Sequence, residues 1–163
     1  MENSNTAILI VDMQIDFLKP LANFADQVVA IQSLINFGKT KKMPCWYIEY
    51  ANCGNTIPEL GRPSHQSDFL IVKPSDSAFD YTNLDYRLKG WDIDKLIVSG
   101  VYASACVKST VESALVRRLK VLTAKTLIGD ETLRAYQDSL GWYHDNLGED
   151  FHNNHHDLIS TLI

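Results

Sequence analysis

Apolar residues are distributed along this chain in two alternating rhythms. Ala7-Ile8-Leu9-Ile10-Val11, Pro44 to Glu49, Phe69-Leu70-Ile71-Val72, Leu96-Ile97-Val98 and Val121-Leu122-Thr123-Ala124 are short, nearly continuous runs. That is the pattern of strands covered on both faces. Between them, apolar residues recur at helical spacing: Phe24, Val28, Ile31, Leu34 and Ile35, with a stop expected near Gly38; Leu84, Leu88 and Trp91, with an end near Gly90; Val107, Val111, Ala114 and Leu115; and Leu133, Tyr136, Leu140, Tyr143 and Leu147, starting at about Glu131. A turn is expected around Lys19 and Pro20, and a long loop from Asn52 to Ser67. The tail from Phe151 to Ile163 is expected to close the sheet edge or to form a short helix.

Strands that alternate with helices at these lengths imply right-handed crossover units. The fold class is therefore α/β: a three-layer α/β/α sandwich around a mostly parallel, Rossmann-like sheet of five or six strands. In such sheets, sites form beyond the carboxyl ends of the strands. Asp12, Lys73 and Cys106 each follow the apolar run of a different strand, so the topology predicts that all three emerge at one edge.

Composition sets the scale. With 163 residues, 45% of them hydrophobic, the chain suits one domain spanning residues 1–163. Its net charge of -5 and isoelectric point near 5.4 argue against nucleic acid and anionic membranes as partners, since both call for a basic face. The clusters Lys39 to Lys42 and Arg117 to Lys120 read as solvated helix ends. Asp12 interrupts the first apolar run, so neither a signal peptide nor a membrane span is expected. Three cysteines at irregular spacing, Cys45, Cys53 and Cys106, lack the pattern of a disulfide framework and suit a reducing, cytoplasmic setting.

The stretch from Ser99 to Val107 reads as a strand exit, a turn and a helix start. Ser104 is the expected N-cap, which puts Cys106 in the first helical turn, where free N–H groups and the helix dipole favour a thiolate. A carboxylate, an ammonium and a thiol together are a working set for acyl transfer. Asp12 would serve as general base, Lys73 as electrostatic support and Cys106 as nucleophile, forming a thioester that water releases. The backbone N–H groups of Tyr102 and Cys106 are candidates for an oxyanion hole, worth roughly 3 kcal/mol per donor.

Three runs then carry a resemblance: Val11-Asp12-Met13-Gln14-Ile15-Asp16-Phe17, Lys73-Pro74-Ser75-Asp76-Ser77-Ala78-Phe79, and Gly100-Val101 to Cys106-Val107. Together they resemble the isochorismatase-like cysteine hydrolases, which include nicotinamidases and N-carbamoylsarcosine amidohydrolases. The resemblance implies an Asp12, Lys73 and Cys106 triad, Gln14 and Asp16 as supports of the first loop, Phe17 as a pocket wall, a cis peptide between Val101 and Tyr102, and a homo-oligomer, commonly a dimer or tetramer. Where metal-binding members carry an Asp-x-His pair, this chain reads Glu49-Tyr50-Ala51-Asn52-Cys53, so neither a catalytic metal nor another cofactor is expected. Tyr102 and Ala103 stand where the family commonly has a small residue followed by Thr. Tyr50 and Tyr102 are the rings expected near a small-molecule substrate.

The expected activity is cleavage of an amide or related C–N bond. The alternative is a catalytically silent relative that binds a metabolite or protein in the same crevice. A nucleotide-binding flavodoxin-like domain is disfavoured, because no strand is followed by a Gly-rich phosphate loop. Cys45 and Cys53 read as structural, and His152, His155 and His156 as a polar tail rather than metal ligands.

Overall fold

The apolar runs pair as parallel strands of one sheet. The structure, a computed structural model, describes residues 5–18 and 24–163; the turn expected around Lys19 and Pro20 lies outside them. In chain order the elements are β1 (Thr6–Val11), α1 (Ile15–Leu18), α2 (Phe24–Thr40), β2 (Cys45–Tyr50), a 3-10 turn (Pro58–Leu60), β3 (Leu70–Lys73), α3 (Leu84–Gly90), β4 (Lys95–Val101), α4 (Cys106–Val116), β5 (Lys120–Ala124), β6 (Ile128–Gly129), α5 (Leu133–Leu147), a second 3-10 turn (Gly148–Asp150), β7 (Phe151–His152) and α6 (His155–Ser160). The strand order is β3-β2-β1-β4-β5-β7, with β6 paired to β4 beyond the end of β5. Five strands are the expected ones; β6 and β7, two residues each, bring the total to seven.

Period-two alternation in β1 divides the core. Ala7, Leu9 and Val11 pack with Leu88 of α3, Val107 and Val111 of α4 and Tyr143 of α5. Ile8 and Ile10 face the opposite way and pack with Ile31 and Leu34 of α2 and Leu158 of α6. Each strand thus has apolar neighbours on both sides, which is why the runs lack polar interruption. No helix among the described residues is long and apolar enough to cross a membrane.

The chain winds one way through β1, β2 and β3, and the other way through β4 and β5. The switch falls between β1 and β4, and there the carboxyl ends of two neighbouring strands part to leave a crevice. Val11 and Gly100 are the last paired residues of the two strands below this crevice. A Cβ at Gly100 would lie 2.0 Å from the Val11 carbonyl oxygen, and its φ of 124° is closed to other residues.

Two boundaries differ from expectation. Gly38 does not stop α2, which runs to Thr40; a Cβ at Gly38 would meet Ile8 Cδ1 at 2.6 Å, so this glycine lets the helix lie close against β1. Strand β4 continues through Ser99, Gly100 and Val101, because its last residues pair with β1 and β6. The tail does both things expected of it: β7 extends the sheet beside β5 and α6 packs beneath. His155 exchanges a hydrogen bond with Thr126 at 3.1 Å and stacks on His156, a structural use of the histidine tail.

Gly100→Ala is expected to cost about 3 kcal/mol or more, lowering the thermal midpoint by about 6–12 °C for a chain of this size. Gly141→Ala, in α5 with open space around it, is the control and should gain about 0.5–1 kcal/mol.

Candidate active site

Three strand ends meet at the crevice. Asp12 follows β1 with φ 53°, a left-handed conformation that Asp tolerates better than most residues. Its N–H donates to the Ile48 carbonyl at 2.9 Å, so the chain turns off the sheet while the carboxylate stays 1% exposed. Lys73 ends β3 and is wholly buried. A buried ammonium needs partners, and this one has three. Nζ lies 3.0 Å from Asp12 Oδ2, donates to the Ser75 carbonyl at 2.9 Å, and sits 4.2 Å from the centroid of the Tyr50 ring.

Cys106 is the first residue of α4 and 7% exposed. The preceding turn corrects the expected cap. Ala105, not Ser104, occupies the N-cap position, and no side chain caps this helix. Ser104 is diverted because its N–H is held by Asp130 Oδ2 at 2.7 Å. As the first helical residue, Cys106 has an N–H without an acceptor inside the helix. The Val101-Tyr102 peptide is cis.

The turn is fixed from a part of the chain to which no role was assigned. Ala103 N–H donates to the Gly129 carbonyl at 2.7 Å, Asp130 holds Ser104 and Glu131 N–H, and the buried Tyr143 hydroxyl donates to the Ala103 carbonyl. From α2, Gln27 Nε2 donates to the Gly100 and Leu127 carbonyls. The Lys73 loop is likewise tied to the cysteine helix: Ala78 N–H donates to Thr110 Oγ1, which donates to the Cys106 carbonyl.

Gln14 fastens the loop after β2. It is fully buried; Nε2 donates to the Tyr50 and Gly54 carbonyls at 2.9 and 2.7 Å, and Oε1 accepts from Tyr50 N–H at 2.6 Å. Asp16 does not support it in this way. It is exposed in the first turn of α1, and no hydrogen bond of its side chain is found among the described residues. Glu49, near the position where metal-binding members carry ligands, is occupied: Arg62 binds both its oxygens at 2.7 and 2.9 Å, and Thr56 donates to it twice. These donors hold its carboxyl below the usual range against the burial that raises it.

A cavity of about 260 Å³ opens over the thiol, walled by Phe17, Tyr50, Cys53, Asp76, Tyr102 and Ala105, with Asp12 and Cys106 also lining it. The three rings meet edge to face, Phe17 with Tyr50 at 6.3 Å and with Tyr102 at 5.7 Å. The Tyr102 hydroxyl donates to the Phe17 carbonyl at 3.1 Å. Three wall residues, Cys53, Asp76 and Ala105, escaped the sequence reading. Cys53, read as structural, reaches the cavity because Gln14 folds the loop after β2 over it; nothing in the sequence marks that fold. Asp76 Oδ1 lies 3.7 Å from Cys106 Sγ; a second acid three residues past Lys73 in the same strand-end loop was the available signal.

Burial, only partly offset by Lys73, raises the Asp12 carboxyl to about 6. Burial, then the Asp12 charge, pushes the Cys106 thiol up to about 12. Burial and the neighbouring carboxylates thus work against the thiolate that the helix start favours. The thiol faces two carboxylates: Asp76 Oδ1 accepts from Cys106 Sγ at 3.7 Å, and Asp12 is held by Lys73 Nζ at 3.0 Å.

Residues 6–143 match the Isochorismatase domain. The chain belongs to the isochorismatase-like hydrolase family. It is 40% identical over 63 residues to N-carbamoylsarcosine amidase of Arthrobacter sp., a match that takes in 39% of this chain and 24% of the amidase. It superposes on a cysteine hydrolase from Pseudomonas syringae with TM-score 0.86 at 20% identity, covering 98% of this chain and 93% of that one. The nicotinamidase of Staphylococcus aureus gives 0.79 at 20% identity, over 92% and 99% of the two chains. The isochorismatase-like fold is thus shared along nearly the whole length.

Gln14→Ala removes three hydrogen bonds and leaves buried backbone groups unpaired. A loss of about 2–4 kcal/mol is expected, with faster amide hydrogen exchange confined first to residues 50–54.

Proposed function

We propose that this protein is a cysteine hydrolase that cleaves an amide or related C–N bond of a small molecule, with Asp12, Lys73 and Cys106 as its catalytic residues. The observation that carries the reading is that Asp12, buried against the Lys73 ammonium, lines one small cavity together with the Cys106 thiol.

In the first half-reaction Asp12 takes the proton from Cys106 Sγ as sulfur bonds to the carbonyl carbon. The N–H groups of Tyr102 and Cys106 receive the oxyanion. The tetrahedral adduct collapses, Asp12 returns the proton to the leaving nitrogen, the C–N bond breaks, and a thioester remains on Cys106. In the second half-reaction Asp12 deprotonates water, oxygen bonds to the acyl carbon, and the C–S bond breaks. The acid leaves and sulfur recovers its proton. Lys73 keeps Asp12 ionised between steps, since without that cation burial would hold the carboxyl neutral. Phe17, Tyr50 and Tyr102 exclude water from one side of the substrate. None of these steps calls on a metal.

A panel of small amides, ureas and carbamoyl compounds, assayed for released ammonia or amine, tests the reading. Cys106→Ala is expected to lower kcat at least about 10³-fold; a variant that kept the wild-type rate would exclude the thioester route. Because Asp12 must be ionised, kcat/KM should rise with pH through about 6 and then level. A profile flat from pH 4 to 8 would remove Asp12 as the base.

A further inference from the structure

Asp76 is not needed by the mechanism above, and its position works against it. Asp76 is exposed to solvent, and its Oδ1 accepts a hydrogen bond from the Cys106 thiol at 3.7 Å. A negative charge there opposes both the forming thiolate and the oxyanion that follows. Among the described residues no Lys, Arg or His lines the cavity to offset it. The nearest cation, Lys73, is wholly buried and already committed to Asp12, the Ser75 carbonyl and the Tyr50 ring. Asp12 and Lys73 cancel, so the cavity wall carries the Asp76 charge alone.

The rings facing this charge are suited to the same sign of ligand. An aromatic face attracts a cation. Tyr50 has Lys73 over its ring, which leaves Phe17 and Tyr102, fixed edge to face and tied by the Tyr102 hydroxyl to the Phe17 carbonyl. At about 260 Å³ the space is a little below the usual range for drug-sized ligands, about 300–1,000 Å³.

Building on the hydrolase reading, we infer that the substrate is a small amide carrying a fixed positive charge, an alkyl- or quaternary ammonium, held between Asp76 and the Phe17 and Tyr102 rings. A carboxylate-bearing amide is rejected by the same wall. The arrangement also gives the bound cation a part in the chemistry. Asp76 is one of the charges that keep the Cys106 thiol protonated; a cation seated on Asp76 cancels that charge as the carbonyl arrives over sulfur.

Two measurements test this and separate it from the hydrolase reading. In the first, tetramethylammonium and acetate are titrated into the full chain by calorimetry. The wild type is expected to bind tetramethylammonium, Asp76→Asn to bind it at least about tenfold more weakly, and acetate not to bind. Failure of tetramethylammonium to bind, or binding unchanged in Asp76→Asn, overturns the inference, even if amides are hydrolysed. In the second, three amides of matched size carrying a trimethylammonium, a neutral tert-butyl or a carboxylate group are compared. The cationic amide should exceed the neutral one by about tenfold or more in kcat/KM, with the ratio collapsing toward one in Asp76→Asn. A carboxylate-bearing amide as the best substrate would contradict it. Cation binding lost in Asp76→Asn, with none of the three amides turned over, would keep the cation site but overturn the amide substrate and with it the hydrolase reading.

Discussion

The ion pair between Lys73 and Asp12 is the interaction on which the site depends. It joins the ends of two strands, β3 and β1, across the intervening β2, in a place almost closed to water. A buried pair repays its desolvation only when geometry and further partners are good. Here the Ser75 carbonyl and the Tyr50 ring complete the ammonium, whereas the Asp12 oxygens keep their hydrogen-bonding capacity. That asymmetry separates the roles: Lys73 is satisfied and fixed, and Asp12 is charged and able to accept a proton.

Around that pair the scaffold acts by pinning loops. Gln14 fastens the loop after β2, Thr110 and Ser113 fasten the loop after β3, and Gly129, Asp130 and Tyr143 fasten the turn before α4. The last set explains the chain beyond β5. Its short β6 and long α5 supply backbone acceptors and a buried hydroxyl to the cysteine turn, so they hold Cys106 in place from outside the cavity. Gly100 makes the same arrangement possible from below, since any side chain there would collide with the end of β1.

Much of this was legible in the sequence because the signals were local. Continuous apolar runs marked buried strands, and parallel topology then placed Asp12, Lys73 and Cys106 at one edge without any knowledge of distance. What stayed hidden was set by contacts remote in the chain. Ser104 looks like a cap, but Asp130, far along the chain, takes its N–H. Gly38 looks like a helix stop, but its packing against Ile8 gives it another purpose. The thiolate that the helix start favours is opposed by burial and neighbouring carboxylates, which no local spacing reveals. Cys53 and Asp76 entered the cavity wall through loop folding that no periodicity encodes.

The proposed mechanism requires the proton to rest on Cys106, with Asp12 ionised to take it. Carbon-detected NMR titration of the Asp12 carboxyl and the Cys106 Cβ reads both sites in the same sample. Asp12 should titrate with a midpoint near 6 while Cys106 shows no transition below about pH 10. A Cys106 that titrates at or below neutral pH while Asp12 stays protonated would mean a standing thiolate, and would contradict the account.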